Sequence, residues 1–216
     1  MNLLIIGAPG SGKGTISNNL IKDYDITHVS TGDMLRQAIA QNSPVGLRAA
    51  EYMNQGQLVP DSIIHDIIVE RLSMDDIKKG FLFDGYPRTV DQAIDLSSIL
   101  EQLHMKIDAV LELEIDDEIL KKRITGRRLC PTCGEIYNIY SKPTKVEDIC
   151  DKCGGKLITR KDDSLENLTV RLDEYHRNTQ PVIEYYEKMD LVKKIDADKS
   201  ADAVYDDIKS VLEGLK

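Results

Sequence analysis

Apolar residues along the chain follow two different periods. Compact apolar runs at residues 3–6, 81–83 and 109–113, with a weaker one at 191–195, alternate with amphipathic stretches of helical length. That alternation predicts a parallel sheet wrapped by helices. Helical spacing is clearest over 89–103, where Val90, Ile94, Leu96, Ile99, Leu100 and Leu103 recur, and over 164–188. Two segments break the rhythm. Ser30-Thr31-Gly32-Asp33 carries a capping pattern ahead of a helix, so 30–59 reads as a helical insertion. Residues 127–160 hold all the cysteines, Pro131, Pro143, Gly134, Gly154 and Gly155 but few large aliphatic side chains, and read as a second insertion.

A length of 216 residues fits one α/β core with insertions. Hydrophobic residues at 41% and charged residues at 30%, without a biased tract, exclude wholesale disorder. No apolar run approaches the roughly 18 residues of a membrane span, and Met1 leads straight into Leu3-Leu4-Ile5-Ile6 without a basic lead. A cytoplasmic location is expected. The net charge of -9 argues against broad binding to nucleic acid or anionic membrane, so any phosphate ligand must meet a local cluster of cations.

One such cluster is visible. Residues 7–15 read Gly-Ala-Pro-Gly-Ser-Gly-Lys-Gly-Thr between the first strand-like run and the helix-like 16–24. Glycines let consecutive amide hydrogens face one point, where a helix N-terminus and Lys13 add positive charge. The bland alternative, a glycine-rich turn with a surface lysine, does not account for that placement. Gly14 stands where the strict pattern has Ser or Thr, and Thr15 follows, which leaves the magnesium-binding hydroxyl unassigned. The loop alone does not separate kinase, ATPase and GTPase, although an Asn-Lys-x-Asp guanine-reading motif is absent.

The strand-like run 81–83 leads into Asp84-Gly85-Tyr86-Pro87-Arg88-Thr89. An acid at the carboxyl end of a parallel strand lies where ligands of open α/β sheets gather and where magnesium is expected; the plain alternative is a turn. Cys130-x-x-Cys133, sixteen residues, then Cys150-x-x-Cys153 matches the spacing of structural zinc sites. Four thiolates close a tetrahedral ion without leaving a position for water, which indicates a structural metal. An iron-sulfur site or two disulfides are the alternatives.

Taken in order, residues 7–15, 30–36, the run Gly56-Gln57-Leu58-Val59-Pro60-Asp61, residues 84–89 with Gln92, and residues 123–128 resemble the motifs of the adenylate kinase family over nearly the whole chain. The resemblance implies a phosphate-loop kinase with a five-stranded parallel sheet flanked by helices. Its core would comprise 1–29, 60–126 and 161–216, with an AMP-binding insertion at 30–59 and a zinc-stapled lid at 127–160. It also implies reversible transfer between ATP and AMP to give two ADP, with Mg²⁺, in a monomer.

Carried over residue by residue, Lys13, Arg88, Arg123, Arg160 and Arg171 would surround the transferring phosphoryl group. ATP would meet Gly10, Ser11, Gly12, Lys13, Gly14, Thr15, Arg127, Ile136, Tyr137 and Lys199. AMP would meet Thr31, Arg36, Gln57, Leu58, Val59, Gly85, Tyr86, Pro87, Arg88, Gln92, Arg160 and Arg171. Asp33 and Asp84 would orient Mg²⁺ through its waters, and Cys130, Cys133, Cys150 and Cys153 would hold Zn²⁺. The family usually has Phe where Tyr86 stands, and its lids occur with and without cysteines.

Each assignment has a plainer alternative. Gln92 is either solvated or a donor-acceptor pair for an adenine edge. Asp33 is an N-terminal cap at the least. Arg123, Arg127 and Arg128 are expected at the end of an acidic helix, where cations favour the dipole. The four histidines share no motif with the phosphate loop and read as structural. Two other functions remain: a kinase for a different nucleoside monophosphate, and a zinc-ribbon nucleic-acid binder with an ATPase core. The acidic balance and the shortage of stacking aromatics in the insertion weigh against the latter.

Overall fold

A computed structural model describes residues 1–160 and 163–215. The first two residues and the last residue of the expected third core segment, 161, 162 and 216, therefore lie outside the described part. Strand β1 (Asn2–Gly7) buries Leu3 and Ile5 on one face and Leu4 and Ile6 on the other, so it needs cover on both sides. Its neighbours are β3 (Phe81–Asp84) and β4 (Ala109–Glu114), both parallel to it. Strand β2 (Thr27–Ser30) adds to β3 and β7 (Val192–Asp196) to β4, completing a five-stranded parallel sheet in the order β2-β3-β1-β4-β7.

One face packs on α1 (Lys13–Tyr24) and α9 (Ala201–Glu213) through Ile16, Leu20, Val204, Ile208 and Leu212. The other packs on α4 (Asp61–Leu72), α5 (Val90–Gln102) and α8 (Gln180–Glu187) through Ile68, Leu96, Val182 and Tyr186. At about 1.5–3 kcal/mol for each large aliphatic side chain withdrawn from water, these two layers dominate the stability of the sheet.

The apolar runs in the sequence anticipate β1, β3, β4 and β7, while β2 carries too little apolar signal to be found that way. Segment 30–59 is helical: α2 (Thr31–Ala40) and α3 (Pro44–Met53) pack on one another. Ser30 caps α2, its Oγ accepting from the Asp33 amide at 3.3 Å. The helical stretch expected over 164–188 is α7 (Leu165–Glu174) and α8 joined by a π-turn at Tyr175–Thr179.

One expectation needs correction. Arg123 lies in the last turn of α6 (Asp117–Thr125), but Arg127 and Arg128 do not end that helix. Gly126 closes it, and both arginines belong to β5 (Arg127–Leu129), antiparallel to β6 (Ile136–Asn138) in a small second sheet. A bridge from Leu129 to Ile158 brings the two ends of segment 127–160 together. Among the described residues no helix is long and apolar enough to cross a membrane.

Candidate active site

The loop between β1 and α1 wraps a point at the carboxyl edge of the sheet. Gly12 caps α1 with φ of 102°, a conformation open to glycine and strained for other residues. Lys13 curls over this loop, and its Nζ donates to the carbonyls of Gly7 at 2.5 Å and Ala8 at 2.9 Å. Removal from water pushes the Lys13 pKa down to about 8; Asp84 opposes that shift while Arg88, Arg171 and Arg127 add to it.

Asp84 ends β3 in register with Ile5 of β1 and Ser30 of β2. Burial resists its ionisation, but the neighbouring His28 and the charge of Lys13 hold its carboxyl below the ordinary range. His28 Nε2 stands 3.7 Å from Asp84 Oδ2, so this histidine, read from sequence as structural, borders the cleft.

Gly85 follows with φ of 80°, which turns its carbonyl to accept from Thr31 Oγ1 and Arg88 Nε, each at 2.8 Å. The Arg88 amide donates to Gln92 Oε1 at 2.7 Å, and Thr179 Oγ1 donates to the Arg88 carbonyl at 3.1 Å. Arg88 is thus fixed from three elements before any ligand arrives. Gln92 is buried, and its Nε2 donates to Asp61 at 2.5 Å. The Tyr86 ring packs on Phe83, and its hydroxyl donates to the Gln92 carbonyl at 3.3 Å.

A cleft of about 840 Å³ collects the loop residues Gly10, Ser11, Gly12, Lys13, Gly14 and Thr15 with Asp33, Asp84, Arg88, Arg123, Arg127, Ile136, Tyr137, Arg160, Arg171 and Lys199. Beside it a smaller hollow is lined by Thr31, Arg36, Gln57, Leu58, Val59, Gly85, Tyr86, Arg88, Gln92 and Arg171. Arg36, Arg88 and Arg171 border both. Pro87 and Arg160, expected with the second group, border the large cleft instead. Such a concentration of guanidinium groups suits a ligand whose negative charge sits on phosphate oxygens.

Several groups are held differently from what the motifs suggest. Arg123 donates to the carbonyls of Ser11 at 3.3 Å, Ala197 at 3.0 Å and Lys199 at 3.4 Å, which ties α6 to the phosphate loop. The Lys199 ammonium is paired with Asp207 at 2.9 Å and Asp196 at 3.6 Å, so its contribution at Arg123 is its carbonyl. Asp33 binds Arg36 at 2.6 Å and lies 3.8 Å from Arg160. Burial raises its pKa, but these cations outweigh that and hold it low. Asp163, which no motif flags, has a fully buried side chain that takes Arg127 through both oxygens and lies 3.7 Å from Arg171.

On β6 the pleat sets the directions. Ile136 Cδ1 would lie 3.2 Å from a Cβ at Gly14, and Asn138 Nδ2 donates to the Arg123 carbonyl at 2.8 Å, so both face the core. Tyr137 between them is buried against Cys130, Cys150 and Leu157.

The sulfur atoms of Cys130, Cys133, Cys150 and Cys153 all lie within 4.8 Å of one another, with Cys130–Cys153 at 3.4 Å and Cys133–Cys150 at 3.6 Å. Zinc-sulfur bonds of about 2.3 Å place tetrahedral sulfurs about 3.8 Å apart, so the cluster fits such an ion, and the cysteines are not disulfide-bonded. Burial resists ionisation of Cys150, but the Tyr137 hydroxyl and the amides of Cys153 and Lys152 bring its thiol down to about 6.

The family description "Adenylate kinase" matches residues 5–191. An adenylate kinase from Caldanaerobacter subterraneus subsp. tengcongensis is 46% identical over 214 residues, covering 99% of this chain and 97% of that protein. One from Carboxydothermus hydrogenoformans is 47% identical over 213 residues, covering 99% and 100% respectively. One from Geobacillus sp. is 46% identical over 216 residues and covers both chains completely. A cleft built from a phosphate loop and converging arginines, together with matches that run almost end to end, means that the chain belongs to the adenylate kinase family.

Proposed function

We propose that this protein catalyses ATP + AMP = 2 ADP by direct in-line transfer between two nucleotides bound side by side. The observation that carries this reading is the sharing of Arg36, Arg88 and Arg171 between a cleft at the phosphate loop and a neighbouring hollow. Two phosphate-bearing ligands would meet at those arginines. ATP would lie on Gly10 to Thr15 with Arg127, Ile136, Tyr137 and Lys199 around it. AMP would occupy the hollow against Thr31, Gln57, Leu58, Val59, Gly85, Tyr86, Pro87 and Gln92.

The transferring group gathers negative charge on its peripheral oxygens, so preorganised cations do most of the work. Lys13, Arg88, Arg123, Arg160 and Arg171 supply them. An AMP phosphate oxygen attacks the γ-phosphorus as the bond to the β-γ bridging oxygen breaks, and ADP leaves on each side. Its second pKa of about 6 means the nucleophile is already ionised near neutrality, so no protein base is required. Bound Mg²⁺ would offset the negative charge that gathers on the ATP phosphates; the low-pKa carboxylates of Asp84 and Asp33 are suitable holders of its waters.

Core segments 1–29, 60–126 and 161–216 would carry the phosphate loop, with 30–59 closing over AMP and 127–160 over ATP. Closure keeps water from intercepting the phosphoryl group. A structural Zn²⁺ on Cys130, Cys133, Cys150 and Cys153 would hold the lid. A cytoplasmic monomer without nucleic-acid or membrane partners completes the reading. A coupled assay for ADP formed from ATP and each of AMP, GMP, CMP and UMP with Mg²⁺ tests it. Turnover with AMP alone supports it, and preference for another monophosphate would replace it.

A further inference from the structure

We propose that Tyr137 is a positioning residue of the lid's cysteine cluster: its phenol proton is donated to the Cys150 sulfur, so its hydroxyl serves the metal and not the nucleotide. The assignment rests on the reading of that cluster as a metal site.

Direction follows first from the strand. In the β5–β6 ladder Arg127 lies opposite Asn138, Arg128 opposite Tyr137 and Leu129 opposite Ile136. Directly opposed residues share a face, so Arg127, Leu129, Ile136 and Asn138 form one side, and Arg128 and Tyr137 the other. The first side turns to the core, where Arg127 meets Asp163 and Ile136 approaches Gly14. Tyr137 is thereby sent into the cluster formed by Cys130, Cys150 and Leu157.

Proton direction follows from what surrounds the phenol oxygen. The Asp151 amide donates to it at 3.0 Å, and an amide N–H can only donate. Cys150 Sγ lies 3.4 Å from the same oxygen. The single phenol proton is left for that sulfur, which as a metal-bound thiolate can only accept. The Lys142 ammonium, 5.2 Å from the ring centroid, steadies the ring from its face. Groups that hydrogen-bond a metal ligand orient it and tune its donor strength, and their loss commonly costs 10–100-fold in metal affinity.

The test uses the full-length protein and Tyr137→Phe, each loaded with Co²⁺ and separately with Zn²⁺. Without the hydrogen bond the Cys150 sulfur is a stronger donor, so the sulfur-to-cobalt charge-transfer band should move to longer wavelength. Zinc transfer to a competing chelator should nevertheless become about tenfold faster, because the Cys150 side chain loses the contact that fixes its orientation. In wild-type protein loaded with cadmium-113, the Tyr137 hydroxyl proton should exchange slowly and show scalar coupling to the metal, a readout independent of how the variant folds. An unmoved band and an unchanged release rate, with a raised KM for ATP, would return the hydroxyl to the nucleotide and overturn the proposal. Absence of the coupling would overturn it as well. Wild-type protein that takes up neither cobalt nor zinc would remove the metal reading itself, and the proposal with it.

Discussion

Both carboxylate oxygens of Asp163 are taken by the guanidinium of Arg127, 36 residues earlier, and Arg171 waits 3.7 Å away. The Asp163 side chain has no exposure and that of Arg127 only 16%, so water does little to screen the pair. Removing one member of such a pair leaves a buried charge unpaired, at a cost of about 3–5 kcal/mol. Asp163→Ala should therefore lower the thermal midpoint by several degrees and reduce kcat/KM at least about tenfold, because Arg127 and Arg171 lose their orientation. Calorimetry and steady-state kinetics check both, and a variant with wild-type melting and turnover would deny the pair its role.

Lys13 should make nucleotide binding sensitive to pH. Desolvation lowers its pKa from 10.5 to about 8 in the folded protein. Between those values the unfolded chain binds more protons than the folded one, so this lysine's contribution to stability rises with pH across that window and is flat below about 8. Bound phosphate favours the ammonium, so ATP binding should take up a proton and weaken above pH of about 8. Titration calorimetry in buffers of different ionisation enthalpy measures the uptake. Lys13→Met should abolish it and lower turnover at least about a hundredfold, as should Arg88→Ala for turnover alone.

Substitution of any single histidine by Gln should leave turnover within about threefold, since an ionised phosphate acceptor needs no base. His65 and His176 are exposed and paired with Asp95 and Asp117, and His104 is an exposed turn residue. His28 is the discriminating case, standing 3.7 Å from Asp84; Gln retains a donor towards that carboxylate. Collapse of kcat in a folded His28→Gln enzyme would assign it a participating role.

Chelation or Cys130→Ser should loosen segment 127–160 while leaving ATP binding to the phosphate loop measurable. The segment's buried cluster amounts to Cys130, Tyr137, Cys150 and Leu157 with Cys133 against it, too small a core to hold a fold without a staple. Proteolytic cuts should appear first within 127–160, with a lower first melting transition. A zinc-free protein as resistant as the loaded one would show that packing suffices.

The sheet was legible wherever burial made a strand continuously apolar, as at Leu3 to Ile6 and Phe81 to Phe83. Thr27–Ser30 escapes because it is an edge strand whose only aliphatic residue is Val29, which leaves no hydrophobic pattern in Thr-His-Val-Ser. Phosphate loop and cysteine knuckles were readable because each is a local motif whose spacing reflects its ligand. Asp163 and His28 were not, since each gains its meaning from a charged group far away in sequence. Arg127 and Arg128 carry the charge that suits a helix end, but Gly126 ends the helix before them. The alternation of side chains on a strand contained the direction of Tyr137, but only once β6 and its register with β5 were known.

The bridge between Leu129 and Ile158 is made by hydrogen bonds in both directions, 2.8 Å and 2.9 Å, so the chain leaves and re-enters the base of the lid at nearly one point. What lies beyond is attached like a cassette on two adjacent threads. Its far end, beyond β6, can be shortened, exchanged or refastened by other chemistry without altering the register that sets Ile5 beside Asp84. Selection acting on heat tolerance or metal supply can therefore rework the far end of the lid while the reacting centre is inherited intact.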